Sequence, residues 1–165
     1  MWIMNITIIG YKGQGVETTA RIVSKAAMFA GMFSQDFYEP GNTVKAYVRL
    51  DKEPLLEKGL VQSPDIMILL DQSLFSAKAA KENITYIINS SDKSIAKKNI
   101  HILNASEIAF TITGRAIPNT PMLGALSKFV QKIQIKHLKQ ALDSELPKKQ
   151  KEHAAAIEEG LKLVK

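Results

Sequence analysis

Cysteine is absent from this sequence of 165 residues, and that absence closes off several kinds of chemistry. Without thiolates the chain forms no disulfide, offers no cysteine nucleophile and holds no cysteine-ligated iron–sulfur cluster. Histidine is scarce: His101, His137 and His153 show no metal-ligand spacing to one another or to carboxylates. They read as solvated or core histidines, no metal site is expected, and any redox metal in the system belongs to another chain. Long apolar runs are missing as well. Residues 1–10 form an apolar opening, but a bilayer span takes ~20 residues. The opening also lacks the basic start and small-residue cleavage site of a signal peptide, so the chain is expected in the cytoplasm, away from membranes. Aromatic residues make up only 7% and do not interleave with the basic ones as base-stacking platforms do. The net charge is +6, and much of the excess lies after Leu126, where there are nine lysines and five acids. It reads as a solvated or interface-facing lysine surface rather than a nucleic-acid patch.

What is present is the composition of a soluble globular protein, 45% hydrophobic and 23% charged, with a length suited to one core. Residues 2–9, rich in isoleucine, suggest a buried parallel strand ending at Gly10. Val16, Ala20, Val23, Ala27 and Ala30 then recur at helical spacing, with Gly31 as the stop. Residues 33–37 suggest a second strand, and residues 45–50 (KAYVRL) a third, less buried one. Residues 65–70 (DIMILL) are the most strand-like segment. A short helix over 71–82, a strand over 84–88, a turn over 89–92 and a strand over 100–103 follow; residues 106–113 are ambiguous.

The last third is helical. Thr120 is placed as a cap with Pro121 at the first helical position, and Met122, Leu126, Phe129, Val130 and Ile133 give that helix one apolar face. Further helices are expected around 136–142 and from Pro147 onward through Ala154, Ile157, Leu161 and Val164. Strands alternating with helices predict a single domain over residues 1–165. Its fold class is α/β: a three-layer α/β/α, Rossmann-like domain with a mostly parallel sheet and a helical C-terminal third.

Gly10, Tyr11, Lys12, Gly13, Gln14 and Gly15 stand where the first strand feeds the first helix. Backbone N–H groups at such a turn converge with the positive end of the helix dipole and form an anion site; equally, the glycines serve only to allow a tight turn. Two phosphate loops do not fit. The dinucleotide fingerprint needs glycine where Lys12 stands, although Asp36 lies near the position of that fold's ribose-binding acid. The P-loop needs Gly-Lys-Ser/Thr, whereas this loop ends Gly15, Val16, Glu17. No acid, base and nucleophile converge in the sequence, so no catalytic residue is assigned.

The loop's continuation carries more meaning. Gly10 to Val16 with the alanine-containing helix resembles the opening of the gamma subunit of pyruvate and other 2-oxoacid:ferredoxin oxidoreductases, typically Gly-x-Gly-Gly-Gln-Gly-Val. Three more segments match in order: residues 44–50 with Glu53, Pro54 and Leu55 after them; residues 64–74, similar to the family's Pro-Asp-hydrophobic-Leu-Asp-x-Ser-Leu run; and residues 119–126, similar to its Asn-x-x-Met-Leu-Gly-Ala helix start. The resemblance covers nearly the whole chain. It departs at Lys12, which replaces the family's second glycine. It departs also between Phe37 and Val44, a stretch shorter than usual that retains only Tyr38, Glu39, Pro40, Gly41 and Asn42.

The resemblance implies a subunit without its own active site. In the complex so implied, a 2-oxoacid is decarboxylated on thiamine diphosphate, electrons pass through [4Fe-4S] clusters to ferredoxin, and the acyl group goes to coenzyme A. All of these cofactors are expected on alpha, beta and delta-type partner subunits, and ferredoxin is met only indirectly. Gly10, Lys12, Gly13, Gln14, Gly15, Asn119 and Thr120 are the expected anion-binding or subunit-interface residues, gathered with residues 38–44 on one face, and the isolated chain is expected to self-associate. Two other readings stay open: a stand-alone Rossmann-like nucleotide- or NAD-binding protein, and a scaffold module.

Overall fold

The computed structural model describes residues 3–165; Trp2, placed above in the first strand, lies outside them. The described residues build one six-stranded mixed sheet with five α-helices. In chain order the elements are β1 (Ile3–Tyr11), α1 (Val16–Phe29), β2 (Phe33–Glu39), β3 (Thr43–Asp51), β4 (Ile66–Leu69), β5 (Thr85–Asn89), β6 (Ile100–Leu103), α2 (Ala105–Thr113), α3 (Asn119–Ser127), α4 (Ile135–Glu145) and α5 (Gln150–Leu163). The strand order is β2-β3-β1-β4-β5-β6. β1, β4, β5 and β6 run parallel, while β3 runs antiparallel to both β1 and β2. Only residues 40–42 separate β2 from β3, and so short a link makes a hairpin, whereas a parallel pair needs a long crossover.

Side-chain alternation along the strands splits the core in two. Ile6, Ile8, Ala46, Val48, Leu50, Ile66, Ile68 and Ile87 pack with Val23, Ala27, Met122, Leu126, Leu142 and Ile157 from the helices. The opposite face carries Leu69, Tyr86, Ile88, Ile100 and Ile102. What covers that face differs from the expected second helical layer. Residues 71–82 form no α-helix: Asp71 caps a single 3-10 turn, Gln72–Leu74, and Leu74, Phe75, Ala80 and Ile95 supply the cover. Asp71 accepts hydrogen bonds from the N–H and hydroxyl of Ser73, a cap that starts a turn which the chain does not extend beyond Leu74. The third strand also departs from expectation. Ala46, Val48 and Leu50 are wholly buried, because β3 lies inside the sheet between β2 and β1 and not at its edge.

Among the helices, α2 resolves the ambiguous stretch. Asn104 caps it, accepting from the Glu107 N–H while donating to the Glu107 carboxylate. α3 corrects the expected cap: it begins at Asn119 after Pro118, so Pro121 is its third residue and Thr120 is not the cap. First-turn N–H groups have no intrahelical partner, so proline is tolerated there. Nor is α3 amphipathic. Every residue from Asn119 to Leu126 is buried, and Phe129, Val130 and Ile133 lie beyond its end. The reason is its seat against α5, where two glycines let the backbones close up. A Cβ on Gly124 would stand 1.8 Å from the Ile157 carbonyl oxygen, and one on Gly160 1.9 Å from that of Pro121.

The histidines belong to this framework. His137 Nδ1 accepts from the Gln134 N–H and helps cap α4; His101 packs against Phe129 with ring centroids 4.4 Å apart; the Nδ1 of His153 is buried without a partner. Burial holds all three below their ordinary pKa of 6.5. A depressed histidine contributes stability that is present above pH 6.5 and lost as pH falls through its folded-state value. The thermal midpoint is therefore expected to fall on acidification from neutrality toward pH 5, and His153→Gln to flatten that slope; an unchanged midpoint across this range would refute the assignment.

Candidate functional site

The carboxyl end of β1 is pinched. A Cβ on Gly10 would lie 2.8 Å from Val16 Cγ2 and 3.1 Å from Leu70 Cβ, so glycine is needed where β1 passes between α1 and the end of β4. The loop then folds over itself. Gln14 reaches back to accept from the Tyr11 N–H (2.7 Å) and donates to Asp71 Oδ2 (3.1 Å), while the Gln14 N–H donates to the Tyr11 carbonyl at 3.1 Å. The Tyr11 hydroxyl meets Ser73 Oγ at 2.9 Å. Partial burial works to raise the pKa of Asp71, yet hydrogen bonds from Ser73 and Gln14 outweigh it and hold the carboxyl below its ordinary 3.8. Asp71 is thus an anion at neutral pH.

These contacts fill the crevice between β1 and β4, where an open α/β sheet of this kind ordinarily takes a ligand. The open space lies on the other side of the loop. There the β2–β3 hairpin comes up to it, with the Lys12 N–H donating to the Asn42 carbonyl at 3.0 Å. Tyr11, Lys12, Gly13, Glu17, Tyr38 and Asn42 are among the walls of a groove of about 630 Å³. Gly13 and Gly15 hold left-handed backbone, φ 91° and 83°, and the N–H groups of Gly13, Gly15 and Val16 keep no hydrogen-bond partner among the described residues. With Lys12 exposed beside them, they give the groove a positive wall. Glu17 stands opposite, paired with Arg21 at 2.6 Å.

The structure brings the sequence-selected residues together, with different roles. Lys12 and Gly13 are exposed; Gln14 is bound inward to Asp71. Asn119 and Thr120 are 5% and 1% exposed: the Asn119 side chain fits against Gly15, where an added Cβ would meet its Nδ2 at 2.7 Å, and its Oδ1 accepts from the Thr120 N–H. They support the loop from beneath and present no surface of their own. Asp71 and Ser73 were not selected as site residues, although an acid closing the strand-like run 65–70 was a visible cue. Asp36 does not take the ribose-binding role. It lies on β2, and β3 separates β2 from β1, whereas in the dinucleotide fold the strand next to β1 leads to that acid. The described residues contain no His/Asp/Glu group able to hold a metal, and none of their helices is long and apolar enough to cross a membrane.

The fold and this loop define an α/β domain with a tight glycine loop and an open groove at one end of its sheet. Comparison with known proteins then gives the family. The pyruvate ferredoxin/flavodoxin oxidoreductase family matches residues 5–163, and the chain belongs to it. Pyruvate/ketoisovalerate oxidoreductases common subunit gamma from Pyrococcus furiosus is 31% identical over 150 residues, 81% of each chain. Among solved structures, the pyruvate oxidoreductase subunit PORC of Thermotoga maritima superposes with a TM-score of 0.85 at 24% identity, over 100% of this chain and 98% of that one. The 2-oxoglutarate:ferredoxin oxidoreductase of Magnetococcus marinus, solved with 2-oxoglutarate, coenzyme A and succinyl-CoA bound, gives 0.84 at 18% identity, over 99% of this chain but 31% of that one. There the same fold is part of a longer polypeptide.

Proposed function

We propose that this chain is the non-catalytic gamma-type subunit of a 2-oxoacid:ferredoxin oxidoreductase, folded as one domain over residues 1–165 and working in the cytoplasm. The complex converts a 2-oxoacid of the pyruvate type to acyl-CoA and reduces ferredoxin. Thiamine diphosphate, [4Fe-4S] clusters and coenzyme A are held by alpha, beta and delta-type partners. The observation that carries this reading is the family match over residues 5–163, to which the absence of cysteine adds that the clusters sit elsewhere. The groove between the glycine loop and the β2–β3 hairpin, with Lys12 and Gly13 at its lip, is the surface offered to an anionic group or a partner loop. The NAD-binding alternative is not favoured, since its fingerprint glycine is Lys12 and its acid is displaced.

Co-expression with the larger subunits of such a complex tests this. The chain is expected to co-purify with brown, iron-containing chains that hold the 2-oxoacid-dependent ferredoxin reduction, and alone to bind no iron after anaerobic reconstitution. Lys12→Glu is expected to weaken co-purification while leaving the fold's stability within about 0.5 kcal/mol. A stoichiometric iron–sulfur spectrum from the pure chain, or tight nucleotide binding by it, would overturn the assignment.

A further inference from the structure

The sheet ends differently on its two sides. At the β6 edge Ile102 and Lys165 exchange backbone hydrogen bonds, 3.1 and 3.3 Å, and close it. At the β2 edge no backbone segment does so among the described residues, and the side-chain tie there is Gln35 Nε2 donating to the Leu55 carbonyl at 3.3 Å. β2 pairs with β3 in an unbroken register from Phe33 to Glu39, and no other backbone hydrogen bond engages it among the described residues. Lone edges are usually protected by lysine, proline, a bulge or short length. β2 has no lysine, proline or bulge, and its charged residues are the two acids Asp36 and Glu39. Instead Phe33, Phe37 and Tyr38 are 48%, 47% and 42% exposed, and Met28 and Phe29 at the end of α1 are 62% and 52% exposed.

We infer that a second copy of the chain binds this edge, the two β2 strands pairing antiparallel about a two-fold axis at Gln35. Opposed residues in such a pair share a face of the sheet. Centred on Gln35, the register sets Phe33 against the partner's Phe37 twice over, beside the existing Phe37–Tyr47 stack at 6.4 Å. On the other face Ser34 meets the partner's Asp36. Centring on Asp36 would instead oppose two carboxylates, which is destabilising. Centred on Gln35, the strand is self-complementary, as an isologous interface requires. The result is a sheet continuous through both copies, with the helical layers on one side. This goes beyond the family reading and stands or falls without it.

The lack of cysteine makes the test clean. Residues opposed in an antiparallel pair have Cα atoms about 4.5–5.5 Å apart, within disulfide reach. The unmodified chain is expected to scatter light as a dimer, at twice its 18.3 kDa. Gln35→Cys should then cross-link under mild oxidation and Asp36→Cys should not. Phe33→Lys with Phe37→Lys should give a monomer that still unfolds cooperatively, since both side chains are half exposed, with a midpoint that no longer rises with protein concentration. A chain monomeric at every concentration overturns the proposal, as does a dimer that cross-links only through Asp36→Cys or survives the two lysines. Protection of β2 from hydrogen exchange only in the presence of another subunit also counts against it. If Gln35→Cys fails to fold, light scattering of the unmodified chain and of the lysine variant decides.

Discussion

Gly124→Ala is expected to break the packing of α3 against α5. The added methyl would stand 1.8 Å from a backbone oxygen of α5, which no rotamer change relieves, so the two helices must move apart. Overpacking of a core typically costs 1–3 kcal/mol, and a clash with rigid backbone belongs at or above the top of that range, about 3 kcal/mol or more. Against a total of about 5–15 kcal/mol, such a variant melts far earlier or fails to accumulate folded. Gly160→Ala, at 1.9 Å from the Pro121 oxygen, should do the same. The pair should cost less than the sum, because helices already separated for one methyl have room for the other. Urea denaturation of both single variants and the double one checks this. Either alanine tolerated within about 0.5 kcal/mol would show that the helices do not cross so closely.

The second large effect is expected at Gly15→Ala. Two costs coincide there: a φ of 83° that side chains adopt reluctantly, and a Cβ 2.7 Å from Asn119 Nδ2. Strain at positive φ costs about 1 kcal/mol, and overpacking against a buried side chain adds about as much again, for about 2 kcal/mol in all. Gly13→Ala is the matched control. Its φ is 91° but nothing lies within 4 Å of the new Cβ, so only the strain of about 1 kcal/mol applies. Denaturant midpoints of the two should differ by the Asn119 contact, and Asn119→Ala should recover part of the Gly15→Ala loss. Because Gly15 starts α1 beside the groove, its alanine variant should also co-purify poorly with partner subunits, more so than the Gly13 variant. Equal midpoints for the two would mean that Asn119 does not brace the loop.

Much of this arrangement was legible before any coordinates. The isoleucine-rich opening, the run at 65–70 and the alanine periodicity from Val16 each report a local property, burial on two faces or on one helical stripe. β1, β4 and α1 appear where those patterns stand. The loop Gly10–Gly15 was legible for the same reason: Gly13 and Gly15 are glycines because of their own backbone angles, which adjacent residues signal. Where reading failed, a distant partner decided. Residues 71–82 carry helical-looking composition, but the turn that Asp71 starts ends at Leu74, and the Asp71 carboxylate also holds Gln14 from another loop. α3 was read as amphipathic because its neighbour α5 lies 36 residues on, taking Gly124 to Gly160 as the measure, and no local period shows that a second helix buries the outer face.

The sequence alone determined that this protein has no thiolate chemistry, since residue types need no fold to be counted. It also determined the strand–glycine loop–helix opening and the family resemblance, which rest on residues adjacent in the chain. Only the tertiary structure decided that β3 turns back between β2 and β1, moving Asp36 away from the glycine loop. Only it showed that Asn119 serves from beneath while Lys12 and Gly13 face outward, and that one sheet edge is closed while β2 is left open. Each of these depends on which segments meet across long stretches of chain. Such meetings are settled by the summed burial of both sheet faces, a property of the whole chain that no short window of residues contains.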